Sequence, residues 1–151
     1  MPGRIVVGVD GSVHAAAALR WAVDEAALRD ATVEALHAWN LVPLASPADA
    51  GLVPLAWTET TDVRDATREA AERAAHEQVR EVLGDDHGVS VSVVEGDAGD
   101  SLLRAAENAD LLVVGNRGRG NLAQVLLGST SARVSDRAPC PVVVVRAHDT
   151  D

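Results

Sequence analysis

Two short stretches hold the side chains and bare main chain that capture of an anion requires. One is Asp10-Gly11-Ser12. The other runs from Gly115 to Thr130, with glycine at 115, 118, 120 and 128, arginine at 117 and 119, and hydroxyls at 129 and 130. Missing β-carbons at Gly115, Gly118 and Gly120 permit positive φ and a close approach of ligand to backbone. Successive N–H groups in such a turn form a concave nest for negative charge. Arg117 and Arg119 add positive charge, and Gly128-Ser129-Thr130 meets the positive end of a helix dipole if a helix begins there. Taken singly, Asp-Gly-Ser is a turn followed by an N-cap, a Gly-rich run is a turn, and loop arginines are solvated.

Several other chemistries lack their residues. The five histidines show no metal-ligand spacing with cysteine or carboxylates, which disfavours a zinc site. No G-x-x-x-x-G-K-S/T is present, so the chain has no Walker-type phosphate loop, and no G-x-S-x-G marks a hydrolase elbow. Cys140 lies between Pro139 and Pro141 with no base nearby in sequence, which reads as an ordinary thiol.

The elements that must position the two stretches follow from hydropathy. Five segments rich in β-branched residues are expected as strands: Ile5–Val9, Val33–Trp39, Val89–Val94, Leu111–Val114 and Val142–Val145. The first, fourth and fifth are apolar throughout, as strands buried on both faces are, whereas Val89–Val94 alternates with serine. Helices are expected between them. His14 to Asp30 carries Ala18, Leu19, Ala22, Val23, Ala26 and Ala27 on one stripe. Thr61 to Leu83 turns Ala71, Ala75, Val79 and Val82 inward and stops at Gly84. A third is expected from an N-cap at Asp100 through Ala109, and a fourth from near Asn121 to Arg137, where Pro139 and Pro141 forbid continuation. Strands alternating with helices imply a single α/β domain over residues 1–151, an open five-stranded parallel sheet with helices on both faces. The long segment from Asn40 to Thr60, with Pro43, Pro47 and Pro54, reads as a functional flap or a disordered connection, and residues 147–151 read as a tail.

In such a sheet, ligands bind beyond the carboxyl ends of the strands where strand order reverses. Asp10-Gly11-Ser12 follows the first strand and Gly115–Thr130 follows the fourth, so neighbouring strands would bring the two stretches together. That conjunction favours a ligand site over two unrelated turns.

Composition narrows the partners. The 151 residues carry a formal net charge of -10, which repels nucleic-acid backbones, and there is neither Phe nor Tyr to stack single-stranded bases. A phosphate ligand therefore needs local donors, and Mg²⁺ would help neutralise it. One cysteine allows no internal disulfide, and no apolar run is long enough to cross a bilayer, so a cytoplasmic protein is expected with no membrane or nucleic-acid partner.

From Ile5-Val6-Val7-Gly8-Val9-Asp10-Gly11-Ser12 to Ala138-Pro139-Cys140-Pro141-Val142-Val143-Val144-Val145 the sequence resembles the universal stress proteins. The most specific match is the pattern G-x2-G-x9-G-S/T, met by Gly115, Gly118, Gly128 and Ser129. The pattern is carried by the ATP-binding branch of that family. The resemblance implies a strand order of 3-2-1-4-5, as in adenine nucleotide α-hydrolase-like folds. It implies Asp10 near ribose and adenine, and the backbone near Ala38 on adenine. It further implies Gly115, Arg117 and Gly118 around ribose and phosphates, with Gly128, Ser129 and Thr130 donating to phosphates. Gly11, Ser12 and Arg119 complete the expected ligand set by position. A homodimer through Val142, Val143, Val144 and Val145 is also implied, and agrees with an apolar edge that ought to be covered.

The expected function is ATP binding with a regulatory or stress-response role exerted by occupancy, since no general base or nucleophile is evident at the cradle. The alternatives are a slow ATPase or adenylating enzyme, and a module that uses the fold for another small ligand such as FMN or for a protein. The adenylating enzymes carry S-G-G-x-D-S after the first strand, where this chain reads Val9-Asp10-Gly11-Ser12-Val13.

Overall fold

The computed structural model describes residues 1–41, 61–117 and 127–147. The segment 42–60, together with Gly118, Arg119 and Gly120, lies outside the described residues, as do 148–151.

Five strands and four helices alternate: β1 (Gly3–Gly8), α1 (Val13–Arg29), β2 (Ala31–Trp39), α2 (Thr61–Leu83), β3 (Ser90–Glu95), α3 (Ala98–Ala106), β4 (Leu111–Gly115), α4 (Ser129–Arg137) and β5 (Val142–Val145). The strands form one sheet in the order β3-β2-β1-β4-β5, with every pairing parallel. Ile5 stands opposite Val33 on one side and Leu111 on the other, so β1 and β4 adjoin at the point where strand order reverses.

The apolar runs of β1 and β4 are explained by cover on both faces. Ile5, Val7, Leu111 and Val113 pack with Ala18, Leu19, Ala22 and Ala26 of α1 and with Val79 of α2. Val6, Leu112 and Val114 pack on the other face with Leu102 and Ala106 of α3 and Val134 of α4. Alanines along α1 let that helix lie close against the middle of the sheet; Ala27, expected on its buried stripe, is exposed. Val82 of α2 is only half-buried, beside the fully covered Val79.

Two helix starts differ from the sequence reading. The N-cap of α3 is Asp97, whose carboxylate accepts the Asp100 N–H at 2.9 Å, so Asp100 lies in the first turn and the helix ends at Ala106. Asp97 and Asp100 are both good capping types, and the earlier one wins because its side chain reaches the amide three residues on. The helix α4 begins at Ser129 with Gly128 as an extended N-cap (φ −66, ψ 161), so it does not run unbroken from Asn121. The start of α1 at Val13, capped by Ser12, and the stop of α2 at Gly84, with φ 85, agree with expectation.

Candidate functional site

The carboxyl ends of β1, β2 and β4 and the starts of α3 and α4 enclose a cleft of about 580 Å³. That volume is in the ordinary range for small-molecule sites. Its floor is apolar, built from Leu36, Leu102 and Val114, and its rim carries Asp10, Arg117, Ser129 and Thr130. Of the residues picked out from sequence, the structure brings Asp10, Ala38, Gly115, Arg117, Gly128, Ser129 and Thr130 into one wall. Gly118 and Arg119 lie outside the described residues. Gly11 and Ser12 do not line the cleft.

Why Gly11 and Ser12 stand apart is visible in their hydrogen bonds. Gly11, at φ 83, turns its N–H to Gln78 Oε1 of α2 at 2.8 Å. The Ser12 N–H is taken by Asp10 Oδ1 at 2.9 Å, an Asx-turn. Ser12 Oγ accepts from the Ala15 N–H at 3.1 Å, and the Ser12 carbonyl accepts from Ala16 N–H at 3.1 Å. The Ser12 side chain thus caps α1, taking the Ala15 amide.

The start of α4 is the opposite case. Gly128 has no side chain to cap the helix, and the first bond that closes the helix runs from Ala132 N–H to the Gly128 carbonyl at 2.9 Å. The leading N–H groups of an α-helix have no partner within the helix. Here they come from Ser129, Thr130 and Ser131, all of which line the cleft. They add the positive end of the dipole to its wall. The turn is fixed in place: Gly128 N–H donates to the Asn116 carbonyl at 2.7 Å, and the buried Ser131 Oγ donates to the Gly115 carbonyl at 2.5 Å.

Charge in the cleft is local and sparse. Among the described residues, Arg117 Nε is buried without a hydrogen-bond partner, as is Asn116 Oδ1 beside it in sequence. Arg133 of α4 is committed elsewhere, to Asp97 at 2.7 Å and to Asp100, tying α4 to the start of α3. Asp97 titrates below its ordinary 3.8, chiefly because it accepts the Asp100 N–H; burial opposes this, and Arg133 adds to the lowering.

Gly115 proves to be required for a different reason from the one expected. A β-carbon there would sit 2.8 Å from the backbone and Cβ of His14, so the glycine admits the start of α1 against the end of β4. Its φ is not in the positive region. The floor residues Leu36, Leu102 and Val114 escaped the sequence reading. Leu36 was legible in principle, because it lies two positions before Ala38 and shares its face of β2. Leu102 was not, since only the packing of α3 reveals it. Among the described residues no group of three His, Cys, Asp or Glu is placed to hold a metal ion, and no helix is long and apolar enough to cross a membrane.

The fold coincides with that of known proteins. Residues 1–146 match the model of the universal stress protein family. A universal stress protein of Mycolicibacterium smegmatis is 37% identical over 147 residues, which are 96% of this chain and 48% of that protein. The chain therefore spans about half the length of this curated relative. Among solved structures, the universal stress protein UspA from Lactobacillus plantarum superposes with a TM-score of 0.73 at 27% identity, covering 95% of this chain and 97% of that one. A universal stress protein in complex with cAMP superposes with a TM-score of 0.60 at 28% identity, covering 95% of both chains. With the sheet order, the switch-point cleft and the sequence match in agreement, the chain belongs to the universal stress protein family.

Proposed function

We propose that this chain is a cytoplasmic, ATP-binding member of its family that acts by nucleotide occupancy in a stress or regulatory response. The observation that carries the reading is the uncapped first turn of α4, which opens its amides onto an apolar cleft of about 580 Å³. The base and sugar would lie over Leu36, Ala38 and Val114, and the phosphates against Ser129, Thr130 and Arg117, whose Nε lacks a partner. A phosphate oxygen is the natural acceptor for a guanidinium. Mg²⁺ would travel on the phosphates and keep much of its own water, as it usually does at nucleotide sites, so a dedicated protein cage is unnecessary. The cAMP complex of a relative supports the adenine-nucleotide class without choosing among its members.

Among the described residues, the cleft wall carries one carboxylate, Asp10, and no histidine. That supports retention of the nucleotide over rapid hydrolysis, and slow ATPase activity is the second reading. We also assign a homodimer to the edge of β5, where Val142, Val143, Val144 and Val145 are all half-buried and apolar.

The test is direct. Purified protein is denatured and the supernatant assayed for nucleotide, and the ligand-free chain is titrated calorimetrically with MgATP and with cAMP. Copurifying ATP, or saturable binding of MgATP in preference to cAMP, is the expected result. No bound nucleotide and no heat with either ligand would sink the proposal. Phosphate release above background, lost in a Thr130→Val variant, would move it to the ATPase reading.

A further inference from the structure

The loop after β1 is held by a residue that never reaches the cleft. Gln78 of α2 sends its side-chain amide across to the turn, where Oε1 accepts the Gly11 N–H at 2.8 Å and Nε2 donates to the Ser12 carbonyl at 3.3 Å. Both main-chain groups belong to the two residues that follow Asp10. On the far side of the same turn, Asp10 Oδ1 accepts the Ser12 N–H. His37 of β2 adds a third tie, with Nδ1 at 2.9 Å from the Val9 carbonyl. A carbonyl only accepts, so that ring nitrogen carries the proton. The segment Val9–Ser12 is therefore bound to β2, to α2 and to itself.

What the bracing positions is the Asp10 carboxylate. It is the one acid in the described wall of the cleft. One of its oxygens is occupied by Ser12, which fixes the rotamer. A carboxylate repels phosphate and accepts from hydroxyls, so it belongs with the sugar of a bound nucleotide, apart from the phosphate cradle at α4. A positional error of about 1 Å is enough to weaken such a contact, because hydrogen bonds fall off steeply with distance and angle.

Resting on the nucleotide reading above, we infer that Gln78 is a positioning residue: through Gly11 and Ser12 it holds the Asp10 carboxylate where it accepts from the ribose hydroxyls, and so sets the preference of the cleft for ribonucleotides. Gln78 touches no ligand itself. Its effect passes through Asp10 and disappears when either Asp10 or the sugar hydroxyls are removed.

The experiment measures the affinity of the full chain for ATP and for 2′,3′-dideoxy-ATP, both with Mg²⁺, in the wild type, Gln78→Met, Gln78→Glu, Asp10→Ala and the Asp10→Ala/Gln78→Met double variant. Thermal unfolding of each variant is recorded alongside. Gln78→Met is expected to weaken ATP about tenfold, the scale of one hydrogen bond to a charged acceptor, and to change dideoxy-ATP by less than about twofold. Gln78→Glu retains the acceptor for Gly11 and is expected to recover part of the loss. In the Asp10→Ala background, Gln78→Met is expected to add nothing. Equal losses for the two ligands, additive losses with Asp10→Ala, or unchanged ATP affinity would each overturn the role of Gln78 and leave the nucleotide site standing. A wild-type chain that binds neither ligand overturns the site and the role together. If Gln78→Met fails to fold, the comparison of ATP with dideoxy-ATP in Gln78→Glu decides the matter by the same criterion.

Discussion

Gly115 and Arg117 stand two residues apart at the end of β4 and serve opposite ends. Gly115 faces inward on the protein: a methyl group there meets the His14 backbone at 2.8 Å. We expect Gly115→Ala to lower stability by about 1–3 kcal/mol, the usual cost of overpacking, read from the denaturant midpoint. Arg117 lines the cleft proposed to hold the nucleotide. Arg117→Gln keeps a donor but loses the charge, and should weaken ATP about tenfold while leaving adenosine affinity unchanged, measured calorimetrically. Sequence alone marks both residues, since a glycine and an arginine directly after a strand are conspicuous. The structural reason for the first is absent from local sequence. The demand on Gly115 comes from His14, a neighbour through space that no local pattern announces. Likewise the turn in which Asp10 Oδ1 takes the Ser12 N–H is local and legible, but the acceptor that claims the Gly11 amide, Gln78 Oε1, appears only once α2 is packed.

At the level of elements, α1 and α4 differ at their starts, and the proposed anion site rests on that contrast. The first helix has a serine cap and a braced entry; the last has a bare glycine. The strands and helices were legible because buried strands read as valine runs and the intervening segments show helical stripes, whereas the strand order came from the family resemblance. The starts of α3 and α4 were less so, because Asp97 and Asp100 are equivalent as capping types and only geometry separates them. The Asp97–Arg133 pair ties those two helices. Its carboxyl titrates below the ordinary 3.8, so the ionised form contributes stability that is complete above the unfolded value and is lost as pH falls through the lower, folded one. Asp97→Asn retains an oxygen for the Asp100 N–H but gives up the charge. We expect it to be less stable than the wild type at neutral pH by about 0.5 kcal/mol, as for an exposed pair. That difference should close as pH drops below 3.8, followed by thermal unfolding across the acid range.

For the whole molecule, the two edges of the sheet differ in kind. At β5, the carbonyls of Pro141 and Val145 accept from Leu112 and Asn116 of the neighbouring strand, at 3.0 and 2.8 Å. In a parallel ladder alternate residues bond to the same side, so Val142 and Val144 direct their main-chain groups away from the sheet. Val144→Pro removes an outward N–H without touching those inward bonds. It should shift the proposed dimer to monomer in light scattering while leaving the circular dichroism of the fold in place. The opposite edge, β3, interleaves Ser90 and Ser92 with its valines and ends at Glu95, which is paired with Arg64 of α2. Polar, charge-guarded edges resist further strand addition. A sheet with one adhesive margin and one blunt margin can join a twin edge to edge across a twofold axis, and the union then has blunt margins on both outer sides. The proposed pair would be self-terminating, which would spare a valine-rich edge from growing into fibres.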